Sequence, residues 1–516
     1  MLNGSPGQLF NPSRGIRQGD PLSTYLFILA MESFSRKLTF CEDSNQLPGV
    51  KIRINHLLFS DDCLLFCKTN RTQALKILEM IAEFSTCSRQ MINFSKSFVY
   101  FSKKMDPDVC NELAGIINVN QMNLNEKYLG LPFFIGRNKR VSFSTIVDKM
   151  KVNLDVWKAI NLSEEGRTVM VKNVLNSIPV YHMTSFKLPE TTISSINSAQ
   201  TSFWKRKKNI RGLRLISKNH LCRHKHDRGL GFRDMHLFNK ALLVKSIWRL
   251  CTREDEVWAK TLGAKYFSNG DLFNVEEKQD SSWSWKSIGS ELKDRLIWKL
   301  EKNGRFTVKS AYKKLYEDKY NFAFTNPAMR NIWIKLWRLP AFPRVQHFLW
   351  KCLSNTLATR EKLSMRISDI EANCPVGYST IETVTHIILH CDFARAAWLA
   401  LGCNSAVPSD LNNWIMDWFK EGIEENIADK EIAKRATIAW SLWTEECEVV
   451  FQQKTINIHG FIARTRATLS SLTQSAANTI TTSLQNSDIG ISRQNLTWTP
   501  PATDFLTCNC DDLFML

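Results

Sequence analysis

No run of residues in this 516-residue sequence is long or apolar enough to span a bilayer; Tyr25 to Met31 falls far short of the roughly 20 residues required. The opening residues, Met1-Leu2-Asn3-Gly4-Ser5-Pro6, lack a charged start followed by an apolar core, so a secretory leader is not expected there. There is no internal repeat and no long low-complexity segment. The 14 cysteines are scattered, and Cys63, Cys67 and Cys352 lie inside apolar runs. That usage suits reduced thiols in nucleus or cytoplasm better than a disulfide framework, so a secreted protein is not expected. Acid is scarce relative to base: 50 Asp+Glu against 68 Lys+Arg, a formal net charge of +18. Residues 1–19 contain no acidic residue at all.

What is present is a globular composition, 44% hydrophobic and 23% charged, in a chain long enough for several domains. The basic excess suits a polyanionic partner, most simply nucleic acid, or else a solvated basic surface.

One stretch organises the rest. His56-Leu57-Leu58-Phe59 leads into Ser60-Asp61-Asp62, and Cys63-Leu64-Leu65-Phe66 leads out. Two short apolar runs around a polar break predict a β-hairpin with two carboxylates at its tip. Adjacent carboxylates repel unless a cation lies between them, and carboxylate oxygens suit Mg²⁺ or Mn²⁺. The plain alternative is a turn that uses Asp for its turn propensity. Upstream, Arg14-Gly15-Ile16-Arg17-Gln18-Gly19-Asp20-Pro21-Leu22-Ser23 ends in a helix start, with Asp20 as N-cap and Pro21 in first position. The spacing of Leu22, Leu26, Leu29, Phe34 and Leu38 predicts a buried helix to about Leu38. Thr72 to Phe84 reads as an amphipathic helix with Ala74, Leu75, Leu78, Ile81 and Ala82 on one side.

The arginine-glycine stretch, a helix, and then Phe-Ser-Asp-Asp between strands resemble the palm of reverse transcriptases. The closest likeness is to the LINE-type (non-LTR) retrotransposon polymerases of plants, where Ala is usual at the place of Ser60. The resemblance implies an RNA template and a DNA primer or target as partners, with no membrane and no known protein partner. It implies template and nucleotide contacts from Arg17, Gln18 and Gly19. It further implies that Lys96, in Gln90-Met91-Ile92-Asn93-Phe94-Ser95-Lys96-Ser97, lies near nucleotide phosphates; otherwise Lys96 is a plain surface lysine. Lys127-Tyr128-Leu129-Gly130-Leu131-Pro132 looks like the primer-grip turn, with Tyr128, Leu129 and Gly130 at its centre; without the family it reads as a strand ending in a turn.

Residues 136–250, mostly helical, resemble the thumb and connection. Lys205, Arg206, Lys207 and Lys208 open the densest basic run, a surface for a nucleic-acid backbone, a nuclear-localisation patch or an idle solvated face. Trp204 before it either stacks on a base or packs in the core. Residues 251–303 read as a linker. Residues 304–402, from Gly304-Arg305-Phe306-Thr307-Val308, resemble the zinc-binding domain that follows the polymerase in plant LINE proteins. Its implied ligands are Cys374, His386 and Cys391, but Gly377 stands where a further Cys belongs. A structural zinc site normally has four protein ligands. Residues 403–490 read as a helical region and linker, and 491–516, with Cys508-Asn509-Cys510-Asp511-Asp512, as the truncated start of an RNase-H-like domain.

The fold expected is therefore α+β: a partial polymerase palm with an antiparallel sheet over residues 1–135, then a helical thumb and a helical zinc-binding-like domain. Nucleotide addition uses two metal ions. Successive strand residues face opposite ways, so Asp61 is the expected ligand and Asp62 its support. In the family a second essential Asp comes from a strand before the arginine-glycine stretch. With that carboxylate and the fingers missing, the expectation is an N-terminally truncated RNA-directed DNA polymerase homologue, impaired in catalysis, or a non-catalytic nucleic-acid-binding remnant.

Overall fold

In a computed structural model, the structure describes residues 20–487 apart from 50–53, 103, 124–125, 159–161, 206–214, 253–255, 267–280, 290–299, 302–303, 305, 321–326, 377–379, 403–409 and 420–424. The expected RNase-H-like segment 491–516, with Asp511, thus lies outside the described residues. So do Arg17, Gln18, Gly19, Arg206, Lys207, Lys208 and Gly377.

In chain order the elements begin with α1 (Pro21–Asp43), β1 (His56–Phe59), β2 (Asp62–Leu65), α2 (Arg71–Ser88), β3 (Phe98–Val99), α3 (Pro107–Ile117), β4 (Asn120–Gln121), β5 (Lys127–Tyr128) and β6 (Leu131–Pro132). Helices follow: α4 (Lys139–Ser142), α5 (Ser144–Lys158), α6 (Glu164–Met170), α7 (Val180–Ser185), α8 (Glu190–Trp204), α9 (Lys218–Cys222), α10 (Met235–Thr252), α11 (Val257–Tyr266) and α12 (Trp283–Gly289). Then come α13 (Val308–Tyr320), α14 (Pro327–Arg338), α15 (Pro343–Leu353), α16 (Arg360–Ser364), α17 (Asp392–Ala400), α18 (Leu411–Trp418), α19 (Glu425–Gln452) and α20 (Ile458–Ser487). The α+β class with a helical majority holds. Among the described residues the sheet is reduced to three two-stranded pairs, of which β1–β2 and β5–β6 are antiparallel and β3–β4 parallel.

Side chains set the helix starts. Asp20 accepts from the Leu22 N–H at 2.9 Å, Asn70 from Gln73 at 2.8 Å and Asp106 from Asp108 at 2.9 Å, each supplying an acceptor to a first-turn N–H that has no helical partner. Pro21 and Pro107 occupy first positions, where no N–H is needed.

Two compact units emerge. One comprises Met1–Leu162, Gly166–Gly212 and Arg233–Phe322; the other Ser163–Glu165, Leu213–Phe232 and Ala323–Leu516. In the first, Phe34, Leu38, Cys41, Leu47, Ile77 and Met80 form a small core joining α1 to α2, with Leu65, Ile81 and Phe84 packed on it. This corrects two expectations. Helix α1 runs beyond Leu38 to Asp43, but Leu22, Tyr25, Leu26, Ile28 and Leu29 are exposed, so it is buried only from Phe34 onward. A 23-residue helix is about 35 Å long, and a four-residue hairpin cannot cover it. On α2 the buried stripe is Ala74, Ile77 and Met80, while Leu75 is exposed, a rotation of the apolar face by about one residue.

Further along this unit, α10 packs against α7 and α13. The 251–303 stretch carries α11 and α12, whose Ala259 and Trp285 bury against Leu250. Trp204 is core: its indole N–H donates to Thr168 Oγ1 at 2.8 Å, and the base-stacking alternative falls away. In the second unit α15 packs on α18 and α19, and α20 on α17 and α19. The later part of the 403–490 stretch, read in part as a linker, is helical as far as Ser487. Among the described residues all cysteines are free thiols, and no helix is long and apolar enough to cross a membrane.

Candidate functional site

The acidic hairpin forms as its pattern demands. β1 and β2 pair antiparallel with Phe59 opposite Asp62, leaving Ser60 and Asp61 as a two-residue turn. Ser60 has φ +51°, and Asp61 does not share that conformation. Two-residue turns of the primed types match the right-handed twist of the flanking strands. Asp61 therefore sits at the tip and Asp62 opens β2, both exposed. The base of the hairpin is fastened to α1. Buried Asn55 donates to the Leu38 carbonyl at 2.6 Å, and its own carbonyl accepts from Phe66 N–H at 2.8 Å. His56 lies 2.6 Å from Asn55 Oδ1 and 2.7 Å from Ser35 Oγ. A Cβ on Gly49 would come within 2.2 Å of the Ile54 carbonyl oxygen, so only glycine lets the chain pass there.

The turn between β5 and β6 has the left-handed pair Leu129 (φ +51°) and Gly130 (φ +76°), with Tyr128 opposite Leu131. Part-burial raises the Tyr128 phenol above its ordinary pKa, and the charges of Asp62, Cys63 and Tyr181 act in the same direction. The turn at Tyr128 is thus within electrostatic range of Asp62 and of Tyr181 on α7, a half-exposed ring. Lys96 is exposed on a single 3₁₀ turn begun by the Asn93 side chain. Lys205 closes α8, its N–H donating to Thr201. Among the described residues no third Asp, Glu, His or Cys gathers with Asp61 and Asp62 into a metal-sized group.

Such a group does form in the second unit. One ligand atom each of Cys374, His386 and Cys391 lie within 4.8 Å of one another. Local structure explains the convergence. A bridge between Asn373 and Ile381, with Cys374 N–H donating to Thr380 at 2.9 Å and Glu382 N–H to Ala372 at 2.8 Å, makes a short antiparallel ladder. Alternation in that ladder puts Ala372, Cys374, Thr380 and Glu382 on one face and exposed Ile381 on the other. His386 begins a single widened turn, His386–His390, which closes with Cys391 N–H donating to the His386 carbonyl at 2.8 Å. The extra residue in that turn brings Cys391 back over His386.

Cys391 also caps α17. Its thiol is held down to about 7, first by a hydrogen bond from Cys374, against burial, and then by the N–H groups of Phe393 and Ala394. A thiolate at a helix N-terminus is stabilised in the same way as any anion. Zinc–sulfur and zinc–nitrogen bonds of about 2.3 and 2.0 Å place tetrahedral ligands roughly 3.5–3.8 Å apart, so the three donors need close by only about 1 Å. The residues present fit zinc. Ile387, Ile388, Ala397 and Trp398 are buried around the site, with the Trp398 indole donating to the Ile388 carbonyl at 2.7 Å.

Two carboxyl groups that the sequence did not flag border this cluster. Glu382 and Glu446 are 2% and 8% exposed. Burial and the Glu446 charge push Glu382 up to about 8, and Glu446 is raised as well by burial. Glu446 lies 55 residues beyond Cys391 on another helix, and no local pattern signals it.

Comparison with known proteins matches residues 1–133 to the family "Reverse transcriptase (RNA-dependent DNA polymerase)" and residues 306–398 to "zinc-binding in reverse transcriptase". A putative ribonuclease H protein of Arabidopsis thaliana is 20% identical over 424 residues, 63% of this chain and 67% of that protein. An uncharacterized mitochondrial protein of the same plant is 33% identical over 123 residues, 23% of this chain and 80% of its own length. The retrovirus-related Pol polyprotein from the type-1 retrotransposable element R2 of Nasonia vitripennis is 41% identical over 63 residues, 12% of this chain and 6% of that polyprotein. The chain therefore spans about two thirds of the first relative and a small part of the R2 polyprotein.

Proposed function

Because this chain belongs to the reverse transcriptases of non-LTR retrotransposons, we propose that its first unit binds an RNA template and a DNA primer around a divalent cation, Mg²⁺ or Mn²⁺, at the acidic hairpin. The observation that carries this reading is the exposed pair Asp61–Asp62 at the tip of the hairpin, with the Tyr128 turn within range of the Asp62 charge. Asp61, at the tip, is the cation ligand, and Asp62 supports it. In two-metal nucleotidyl transfer one ion activates the primer hydroxyl and the other neutralises the leaving pyrophosphate. In this reading Tyr128, Leu129 and Gly130 hold the primer end. Arg17, Gln18 and Gly19 contact template and nucleotide, Lys96 the nucleotide phosphates, and Lys205 to Lys208 the nucleic-acid backbone.

A two-ion site needs more oxygen ligands than one hairpin tip offers. With no third carboxylate gathered at Asp61 among the described residues, polymerase chemistry from this polypeptide alone is proposed to be weak. Losing one ligand of the clamp removes several kcal/mol of transition-state stabilisation, about a hundredfold or more in rate. Cys374, His386 and Cys391 are proposed to hold a zinc ion that ties the ladder, the widened turn and α17 together.

Fluorescence anisotropy of an RNA template annealed to a labelled DNA primer tests the binding. Affinity is expected to fall steeply, by about tenfold or more, between 50 and 200 mM salt, as counterion release requires. No binding at low salt, or binding indifferent to salt, would remove the reading.

A further inference from the structure

The three-donor cluster is short of one ligand, and as the structure stands neither Glu382 nor Glu446 is gathered into it, so a carboxylate would have to move in to complete the site. Nearby residues of suitable chemistry face the wrong way. His390 is exposed, and the Asp392 side chain is 96% exposed. The buried side is different. Glu382 shares the ladder face of Cys374, and Glu446 arrives on α19, which packs directly on the 386–390 turn. Each carboxyl acts on the other electrostatically. Yet Glu382 Oε2 and Glu446 Oε1 receive no donor among the described residues. A buried carboxylate oxygen with no donor and no cation is costly, and proteins normally pair such groups or use them on metals.

The two glutamates are not equivalent. Oε1 of Glu382 accepts the Arg360 N–H at 2.8 Å and so starts α16, while its backbone carbonyl faces Glu361. Among the described residues no N–H or side-chain donor is recorded for Glu446 Oε1, and the groups that act on its charge are Glu382 and Arg360. Charge arithmetic points the same way. Two thiolates and a neutral imidazole leave Zn²⁺ neutral, and one carboxylate restores the single negative charge that a third thiolate would have given.

We propose that Glu446 supplies the fourth ligand to a zinc ion held by Cys374, His386 and Cys391, with Glu382 positioning it. The ligand set is then Cys₂HisGlu, and α19, which lies beyond residues 306–398, becomes part of the metal centre. This rests on the reading of the three residues as a zinc site, and it is independent of polymerase activity.

The test uses the full chain, loaded with zinc or with Co²⁺, in competition with a chromophoric chelator. Wild type should bind one equivalent and give the intense visible bands of four-coordinate Co²⁺. Glu446→Gln should lose at least about tenfold in affinity and shift to the weaker bands of a site completed by water. Gly377→Cys introduced into that variant should restore affinity and add thiolate-to-cobalt charge transfer, which also shows that the variant folds. If wild type binds no metal, the zinc reading itself fails. If it binds metal but Glu446→Gln leaves affinity and spectrum unchanged, or if Gly377→Cys restores nothing, the assignment of Glu446 is overturned alone.

Discussion

Asn239 has all three of its amide hydrogen bonds accounted for inside the protein. Its Nδ2 donates to the carbonyls of Met183 and Phe186 at 2.9 Å each, and its Oδ1 accepts the Leu188 N–H at 2.8 Å. These bonds terminate α7 on the flank of α10, away from water. Asn239→Ala would leave a buried N–H and two carbonyls without partners, so it should destabilise the first unit by about 3 kcal/mol, read as a lower urea midpoint. Such a residue is invisible to sequence reasoning because its partners are more than 50 positions away. The hairpin around Asp61 and Asp62 was legible for the opposite reason: its signal is local, a polar break between two apolar runs. His347 carries a pH effect. It is buried between Trp337 and Trp350, near Glu164, Glu165, Lys351 and Lys225. Burial lowers its pKa from 6.5 to about 4, only partly offset by the two glutamates. The native imidazole stays neutral where the unfolded one takes a proton. Stability from this site is therefore complete above about pH 6.5 and is lost as pH falls toward 4. His347→Phe should flatten that part of the stability–pH profile measured by chemical denaturation.

At the scale of elements, helix starts and the hairpin followed from sequence because caps and turns are short-range. Asp20-Pro21 and the Phe59–Asp62 break behave as their chemistry dictates. Which face of a helix is buried did not follow, since α1 and α2 both carry more apolar residues than their small shared core can cover. The widened turn at His386–His390 was equally hidden, because nothing in Ile387-Ile388-Leu389 distinguishes it from an ordinary helical turn. The hairpin turn itself makes a prediction. Ser60 has positive φ at the first central position, where glycine is the favoured residue. Ser60→Gly should stabilise the hairpin by up to about 1 kcal/mol, seen as slower proteolysis between β1 and β2, while a β-branched residue there should do the reverse.

For the whole molecule, motif order gave the lineage, but the compact units do not follow the sequence-ordered blocks. The 215–232 segment folds with the second unit, and α13, inside the stretch that resembles a zinc-binding domain, folds with the first. Asp234 shows why. Its buried carboxylate is bound by Lys319 at 2.6 Å and Tyr320 at 3.1 Å, so the end of α13 is pinned to the start of α10 by an ion pair that no local pattern encodes.

The most direct measurement is primer extension by the purified chain on an RNA template with Mg²⁺ or Mn²⁺, run beside Asp61→Asn. Template-dependent synthesis no greater than that of the variant is expected, because among the described residues no further carboxylate gathers at the hairpin tip to clamp two ions. Robust synthesis that Asp61→Asn abolishes would contradict it.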